Sequence, residues 1–153
     1  MTHKLTTATN NSEETVRLGE AIGAELRGGE VIELVSDVGG GKTTLVRGIA
    51  KGAGSQDAVA SPTFTISKLY RADTLTLAHF DFYRLSEAGL VADELAEHLD
   101  QTDTVVIIEW PEMIDNLLPK ERLRILLSAS SESARTFYVE YPEPLSYTIK
   151  GIS

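Results

Sequence analysis

The run Ser36-Asp37-Val38-Gly39-Gly40-Gly41-Lys42-Thr43-Thr44 carries the strongest chemical signal in the chain. Glycines in a row let backbone N–H groups curve around an anion, because no Cβ blocks the approach. A lysine directly after them can reach the outer phosphates of a nucleotide, and the next threonine hydroxyl can ligate Mg²⁺. Residues Asp37, Val38, Gly39, Gly40, Gly41, Lys42, Thr43 and Thr44 are therefore the expected phosphate cradle. One position departs from the pattern. Ser36 stands where the phosphate-loop motif opens with glycine, and serine restricts positive φ there. The competing reading is a glycine-rich turn that merely caps a helix.

A phosphate loop alone cleaves nothing, since magnesium needs carboxylate or hydroxyl support and an attacking group must be oriented. Two acids stand where such support is found. Glu109 closes the apolar run Thr104–Ile108, at the carboxyl edge of an expected central strand, where open α/β sheets bind ligands. Asp81 lies in His79-Phe80-Asp81-Phe82-Tyr83-Arg84. Either acid can serve the metal. The favoured division has Asp81 supporting it directly or through water, while the longer Glu109 positions metal-bound or attacking water. Lys42, Asp81 and Glu109 are thus the expected catalytic residues, and Thr43, Asp81 and Glu109 the expected metal set. The plainer alternatives are an Asp81–Arg84 ion pair and an exposed strand-end charge at Glu109. Trp110 is the single tryptophan; it packs in the core, covers a nucleotide or anchors a partner. Thr63, in Ser61-Pro62-Thr63-Phe64, is either a γ-phosphate or metal switch or part of a simple turn. His79 reads as a hydrogen-bonded packing residue, and Arg135 as a purine-stacking or strand-solvating side chain.

These groups need a scaffold. Val31–Val35 reads as a buried strand before the glycine loop, and Leu45, Val46 and Ile49 mark a helix after it, an order that opens many α/β folds. Upstream, Asn11 and Glu14 have capping-box spacing for a helix whose face is Thr15, Leu18, Ile22 and Leu26, with Gly28-Gly29 as the stop. Thr63–Tyr70 and Leu75–Phe82 predict a hairpin turning at Ala72-Asp73, and Glu87–Leu99 a helix broken near Gly89. Thr104–Ile108 has the continuous β-branched character of a strand covered on both faces. Pro111 suits a helix start, Leu123–Leu127 and Thr136–Tyr141 suit closing strands, and Pro142 and Pro144 oppose extending the last. The sum is an α/β, phosphate-loop type fold: one domain over residues 1–153, with a mixed, partly parallel sheet flanked by helices and residues 1–10 loose.

Composition narrows the function classes. The chain has 153 residues, 42% hydrophobic and 24% charged, and no cysteine, which excludes disulfides and thiolate chemistry. No apolar run is long enough to span a bilayer, so a cytoplasmic protein without a membrane partner is expected. Acidic residues outnumber basic ones 23 to 14, for a formal charge of −9, which disfavours autonomous binding to a phosphate backbone. Any nucleic-acid role is expected to run through a partner.

Taken together, S-D-V-G-G-G-K-T-T, S-P-T-F-T, H-F-D-F-Y-R-L and I-I-E-W-P-E, in this order and spacing from about Asn11 to Tyr141, closely resemble the TsaE (YjeE) family. That resemblance implies a bacterial phosphate-loop ATPase required to make threonylcarbamoyladenosine in tRNA, with ATP and Mg²⁺ as cofactors. It implies ATP phosphates and metal at Lys42 and Thr43, a switch over Ser61–Thr65, and roles for Asp81, Glu109 and Trp110 in hydrolysis. It further implies an adenosine site from Ser12–Thr15 and Arg135. The implied partners are TsaD and TsaB, with ATP binding favouring docking, hydrolysis resetting the complex, and tRNA reached only indirectly. Two other classes compete. A small-molecule phosphate-loop kinase needs an arginine-bearing lid that the sequence lacks; a nucleotide-gated binding module would turn over negligibly. A GTPase is disfavoured by the absence of an Asn-Lys-x-Asp or Thr-Lys-x-Asp segment.

Overall fold

The computed structural model describes residues 2–36, 41–60, 67–82, 89–110 and 116–152, with backbone alone at 89–91. In chain order the elements are β1 (Thr2–Thr9), α1 (Ser12–Gly23), β2 (Val31–Val35), α2 (Lys42–Gly52), β3 (Ser67–Arg71), β4 (Thr76–Asp81), α3 (Gly89–Leu99), β5 (Thr104–Glu109), β6 (Leu123–Ala129) and β7 (Arg135–Pro142), followed by a 3-10 helix (Glu143–Ile149). The strands form one seven-stranded sheet in the order β1-β7-β6-β2-β5-β4-β3. Its centre, β6-β2-β5-β4, is parallel; β1, β7 and β3 are added antiparallel. This is the mixed α/β sheet flanked by helices that the sequence predicts.

Each central strand forms because its apolar residues have somewhere to go on both sides. Every residue of β5 is buried. Val105 and Ile107 join Ile32, Leu34, Leu77 and Phe137 in the larger core, beneath Ile22, Leu45, Val46 and Ile49 of α1 and α2. Val106 and Ile108 join Val31, Phe80, Phe82 and Leu118 in a smaller core on the opposite face, closed by Leu95 of α3. Full burial of each such side chain contributes about 1.5–3 kcal/mol. By contrast, β6 alternates: Leu123, Ile125 and Leu127 point to the larger core while Leu126 is exposed on the opposite face.

Helices α1 and α2 touch backbone to backbone through glycines four apart on each. A Cβ on Gly19 would lie 2.5 Å from the Leu45 carbonyl oxygen, and one on Gly48 would lie 2.2 Å from that of Val16. Real Cβ atoms do not approach so closely, so glycine there lets α1 clamp α2 and set where the N-terminus of α2 points.

Two expectations are corrected. Residues 2–9 are not loose: β1 pairs antiparallel with β7 along its whole length, from Thr2 opposite Pro142 to Thr9 opposite Arg135. Its threonines favour extended backbone and its accessibility alternates with period two, a pattern masked by polar composition. Helix α1 ends at Gly23 rather than at Gly28-Gly29. Its last turn tightens through Glu25 N–H to the Ile22 carbonyl and Leu26 N–H to the Gly23 carbonyl. Gly28 and Gly29, at φ 108° and 86°, instead shape the approach to β2. The start of α1 is as the capping spacing predicts: Asn11 Oδ1 accepts from Glu14 N–H at 2.9 Å, and Glu14 Oε1 accepts from Asn10 N–H at 3.0 Å. The helix expected near Pro111 falls outside the described residues.

Candidate functional site

The site is built at the carboxyl ends of three adjacent parallel strands. Leu34 of β2 registers with Glu109 of β5, and Glu109 with Asp81 of β4, so both acids stand at one sheet edge. Alternation along β4 and β5 puts His79, Asp81 and Glu109 on the same face as the apolar residues under α1 and α2. Beyond β2 the chain passes through 37–40, outside the described residues, and enters α2 at Lys42. Asp37, Val38, Gly39, Gly40, Thr63 and Arg84 therefore receive no structural description.

Gly41 is the N-cap of α2 at φ 98°, a left-handed conformation suited to glycine, and no side chain caps the helix. No acidic residue occupies the first turn of α2. Amides at this helix start, with the positive end of its dipole, are suited to an anion. Lys42 is buried. Its Nζ donates to Ser36 Oγ at 3.2 Å and to the Ser36 carbonyl at 3.4 Å, and lies 4.4 Å from the centre of the Trp110 ring. The departure at position 36 thus supplies a hydroxyl that holds the loop lysine. Trp110 itself sits at φ 58°, the one positive-φ non-glycine among the described residues. For a bulky side chain that backbone costs about 1–3 kcal/mol, strain of the kind found at functional sites.

Glu109 is not the exposed strand-end charge of the plainer reading; it is 3% exposed. Its Oε2 lies 2.5 Å from His79 Nε2, and His79 is fully buried. The other ring nitrogen, Nδ1, lies 3.1 Å from the Tyr70 hydroxyl, which donates to the Ala60 carbonyl at 3.0 Å. Burial pushes the Tyr70 hydroxyl pKa up, and the Glu109 charge adds to that. Sequence reasoning placed His79 as a hydrogen-bonded packing residue but missed Tyr70 and Ala60. Their meeting depends on the β3–β4 and β4–β5 registers, for which a single sequence carries no signal.

Thr44, Gly41, Asn11, Ser12, Thr15, Glu132, Ser133 and Arg135 line a cavity of about 390 Å³ beside the start of α2. The fold thus brings the α1 start and Arg135 to the loop helix from opposite ends of the chain. Arg135 lies over Gly41, its Nε 3.4 Å from where a Cβ would stand, and its Nη1 donates to the Ser131 and Ala134 carbonyls at 3.0 and 2.9 Å. The Thr15 hydroxyl is engaged within the protein, 2.7 Å from the Thr9 hydroxyl and 3.3 Å from the Asn11 carbonyl it donates to. A slightly larger cavity, about 440 Å³, is lined by residues of β2, β6 and β7, among them Glu33, Arg124 and Glu140, and shares no lining residue with this site. Its Arg122 and Arg124 pair with the buried Glu33 at 3.6 and 3.1 Å.

Does this arrangement suit a magnesium nucleotide? A glycine N-cap, an uncapped helix start and a buried lysine have the chemistry to suit an anion. Among the described residues no three His, Cys, Asp or Glu side chains cluster as a cation cage. Magnesium bound to a nucleotide needs no such cage, because phosphates and waters supply most of its ligands. Thr43 at the helix start, with Asp81 and Glu109 at the neighbouring strand ends, is a donor set of the right chemistry.

Comparison with known proteins gives the family. The family model described as "Threonylcarbamoyl adenosine biosynthesis protein TsaE" matches residues 9–137. The tRNA threonylcarbamoyladenosine biosynthesis protein TsaE of Bacillus subtilis is 36% identical over 127 residues, covering 83% of this chain and 79% of the relative. The protein of the same name from Treponema pallidum is 34% identical over 129 residues, covering 84% and 95%. The crystal structure of Bacillus subtilis YdiB superposes with a TM-score of 0.75 at 33% identity, covering 92% of this chain and 87% of that one.

Proposed function

Since this chain belongs to the TsaE family of tRNA threonylcarbamoyladenosine biosynthesis, we propose that it serves that process by binding and hydrolysing Mg-ATP, docking on and resetting a TsaD–TsaB complex. The observation that carries the reading is the shared edge: the α2 start with Gly41 and Lys42 stands beside Asp81 and Glu109 at the ends of β4 and β5. Bound magnesium would supply Lewis-acid neutralisation of phosphate charge.

The chain's own groups divide the remaining work. Main-chain amides at the α2 start bind phosphate oxygens, and Lys42 adds a mobile positive charge once it leaves Ser36. Thr43 and Asp81 would hold the metal, and Glu109 would orient the attacking water. Arg135 and the Ser12–Thr15 segment line the cavity where the nucleoside is held. Trp110 restrains Lys42 at the edge of the site. The chain's charge of −9 suits a component that leaves tRNA to its partners. No helix among the described residues is long and apolar enough to cross a membrane.

The test is calorimetric titration with Mg-ATP, followed by phosphate release measured alone and with TsaB and TsaD. Binding, with release of ADP and free phosphate that rises in the complex, is expected. Phosphate transferred to a small-molecule acceptor would instead indicate a kinase. Binding without release, alone and in the complex, would leave a nucleotide-gated module.

A further inference from the structure

On the strength of the ATPase reading above, we propose that His79 is a positioning residue for Glu109, braced by Tyr70 against the main chain at Ala60. Glu109, His79 and Tyr70 are 3%, 0% and 1% exposed, so no bulk water competes for their polar atoms. A carbonyl oxygen only accepts, so the single Tyr70 proton goes to Ala60 and the Tyr70 oxygen accepts from His79 Nδ1–H. At 2.5 Å, His79 Nε2 and Glu109 Oε2 must have a proton between them, because two facing lone pairs would repel. One end of the chain of contacts is backbone, and the other is the carboxylate at the ligand edge.

This arrangement fixes which way Glu109 points. A glutamate side chain ordinarily samples many rotamers, and its alignment in a site is lost among them. Here the imidazole grips one carboxylate oxygen and leaves the other for the site. The grip comes from β4, the strand that also carries Asp81 two residues on, so the two acids are held relative to each other by one strand. The imidazole need not touch nucleotide; it acts through the carboxylate it aligns. A misplacement near 1 Å at a reacting group costs about a hundredfold in rate, which sets the scale of the effect.

Two measurements test it. In nucleotide-free protein labelled with ¹⁵N-histidine, His79 ring N–H resonances should persist against solvent exchange, and both Glu109→Gln and Tyr70→Phe should shift them. Ring signals that ignore both substitutions would overturn the assignment, whether or not the protein hydrolyses ATP. The second measurement is steady-state hydrolysis of Mg-ATP with TsaB and TsaD present. His79→Leu should lower turnover about ten- to a hundredfold while the ATP dissociation constant moves less than about threefold. His79→Gln, whose amide can still donate to Glu109, should recover most of that loss, and Tyr70→Phe should fall between. Equal turnover in His79→Leu and the unmodified protein would overturn the inference. So would parallel losses of affinity and turnover that His79→Gln fails to restore. If His79→Leu does not fold, Tyr70→Phe and His79→Gln carry the same comparison. Failure of the unmodified protein to bind Mg-ATP would count against the ATPase reading alone, since the ring resonances judge the brace without nucleotide.

Discussion

Glu30 and Glu109 are the same residue type, each 3% exposed, and they serve different ends of the sheet. Glu30 precedes β2 at its amino end. Its oxygens accept from Arg27 N–H and Gly28 N–H, both at 2.8 Å, and from the Tyr147 hydroxyl. Burial and the bond to Glu30 push the Tyr147 hydroxyl pKa up, so it stays a donor, and the Arg27 guanidinium lies 3.9 Å over its ring. All of these partners belong to the fold: Glu30 ties the α1–β2 turn to the C-terminal 3-10 helix. Glu109 ends β5 at the carboxyl edge, and its partner there is an imidazole braced from behind, next to a strained tryptophan and a buried lysine. Burial of an acid therefore does not mark function. The partners that satisfy it, and the sheet edge on which it stands, do.

Breaking the functional side should cost activity first. Lys42→Ala should produce the largest effect, a loss of about a thousandfold in Mg-ATP turnover with weaker ATP binding, because it removes a buried cation held at the loop start. Phosphate-release kinetics and calorimetry check it, and unchanged affinity and turnover would contradict the site. Glu109→Gln should lower turnover about a hundredfold while ATP affinity moves less than about threefold. Asp81→Ala should divide in the same sense, and matched losses in affinity and rate would argue against metal and water roles for the acids.

The structural side should break in the opposite way. Glu30→Ala leaves two part-buried amide donors and a tyrosine hydroxyl without their carboxylate, at a cost of about 2–4 kcal/mol. The melting midpoint should fall by about 4–16 °C, read by calorimetry, while turnover per folded molecule below the transition is unchanged. A loss of turnover in Glu30→Ala at temperatures where it is folded would erase the distinction. Ser36→Gly should have the smallest effect. It frees Lys42 from one acceptor and relaxes the loop, so ATP affinity should rise by about two- to tenfold, measured by titration.

Much of the fold was legible because its signals are local. The β-branched run at Thr104–Ile108, the Val31–Val35 strand, the Asn11 cap and the turn at Ala72-Asp73 each depend on neighbours within a few residues. Asp81 and Glu109 were legible as strand-end acids for the same reason. Strand β1 was not, since threonine-rich polar sequence becomes a strand only when β7 offers its edge. Nor was the brace behind Glu109, whose members come from the Ala60 region and from β3, β4 and β5.

By itself, then, the sequence determined the chemistry available and the elements that carry it: a glycine–lysine–threonine helix start, acids closing apolar strands, and a central strand buried on both faces. These follow from backbone freedom, side-chain type and periodicity, which act over one or two turns. Tertiary structure alone decided that Arg135 lies over Gly41, that glycines clamp α1 to α2, and that an imidazole grips Glu109. Those contacts join residues far apart in the chain. They exist because strand register and core packing bring them within hydrogen-bonding reach, energies that no local stretch of sequence contains.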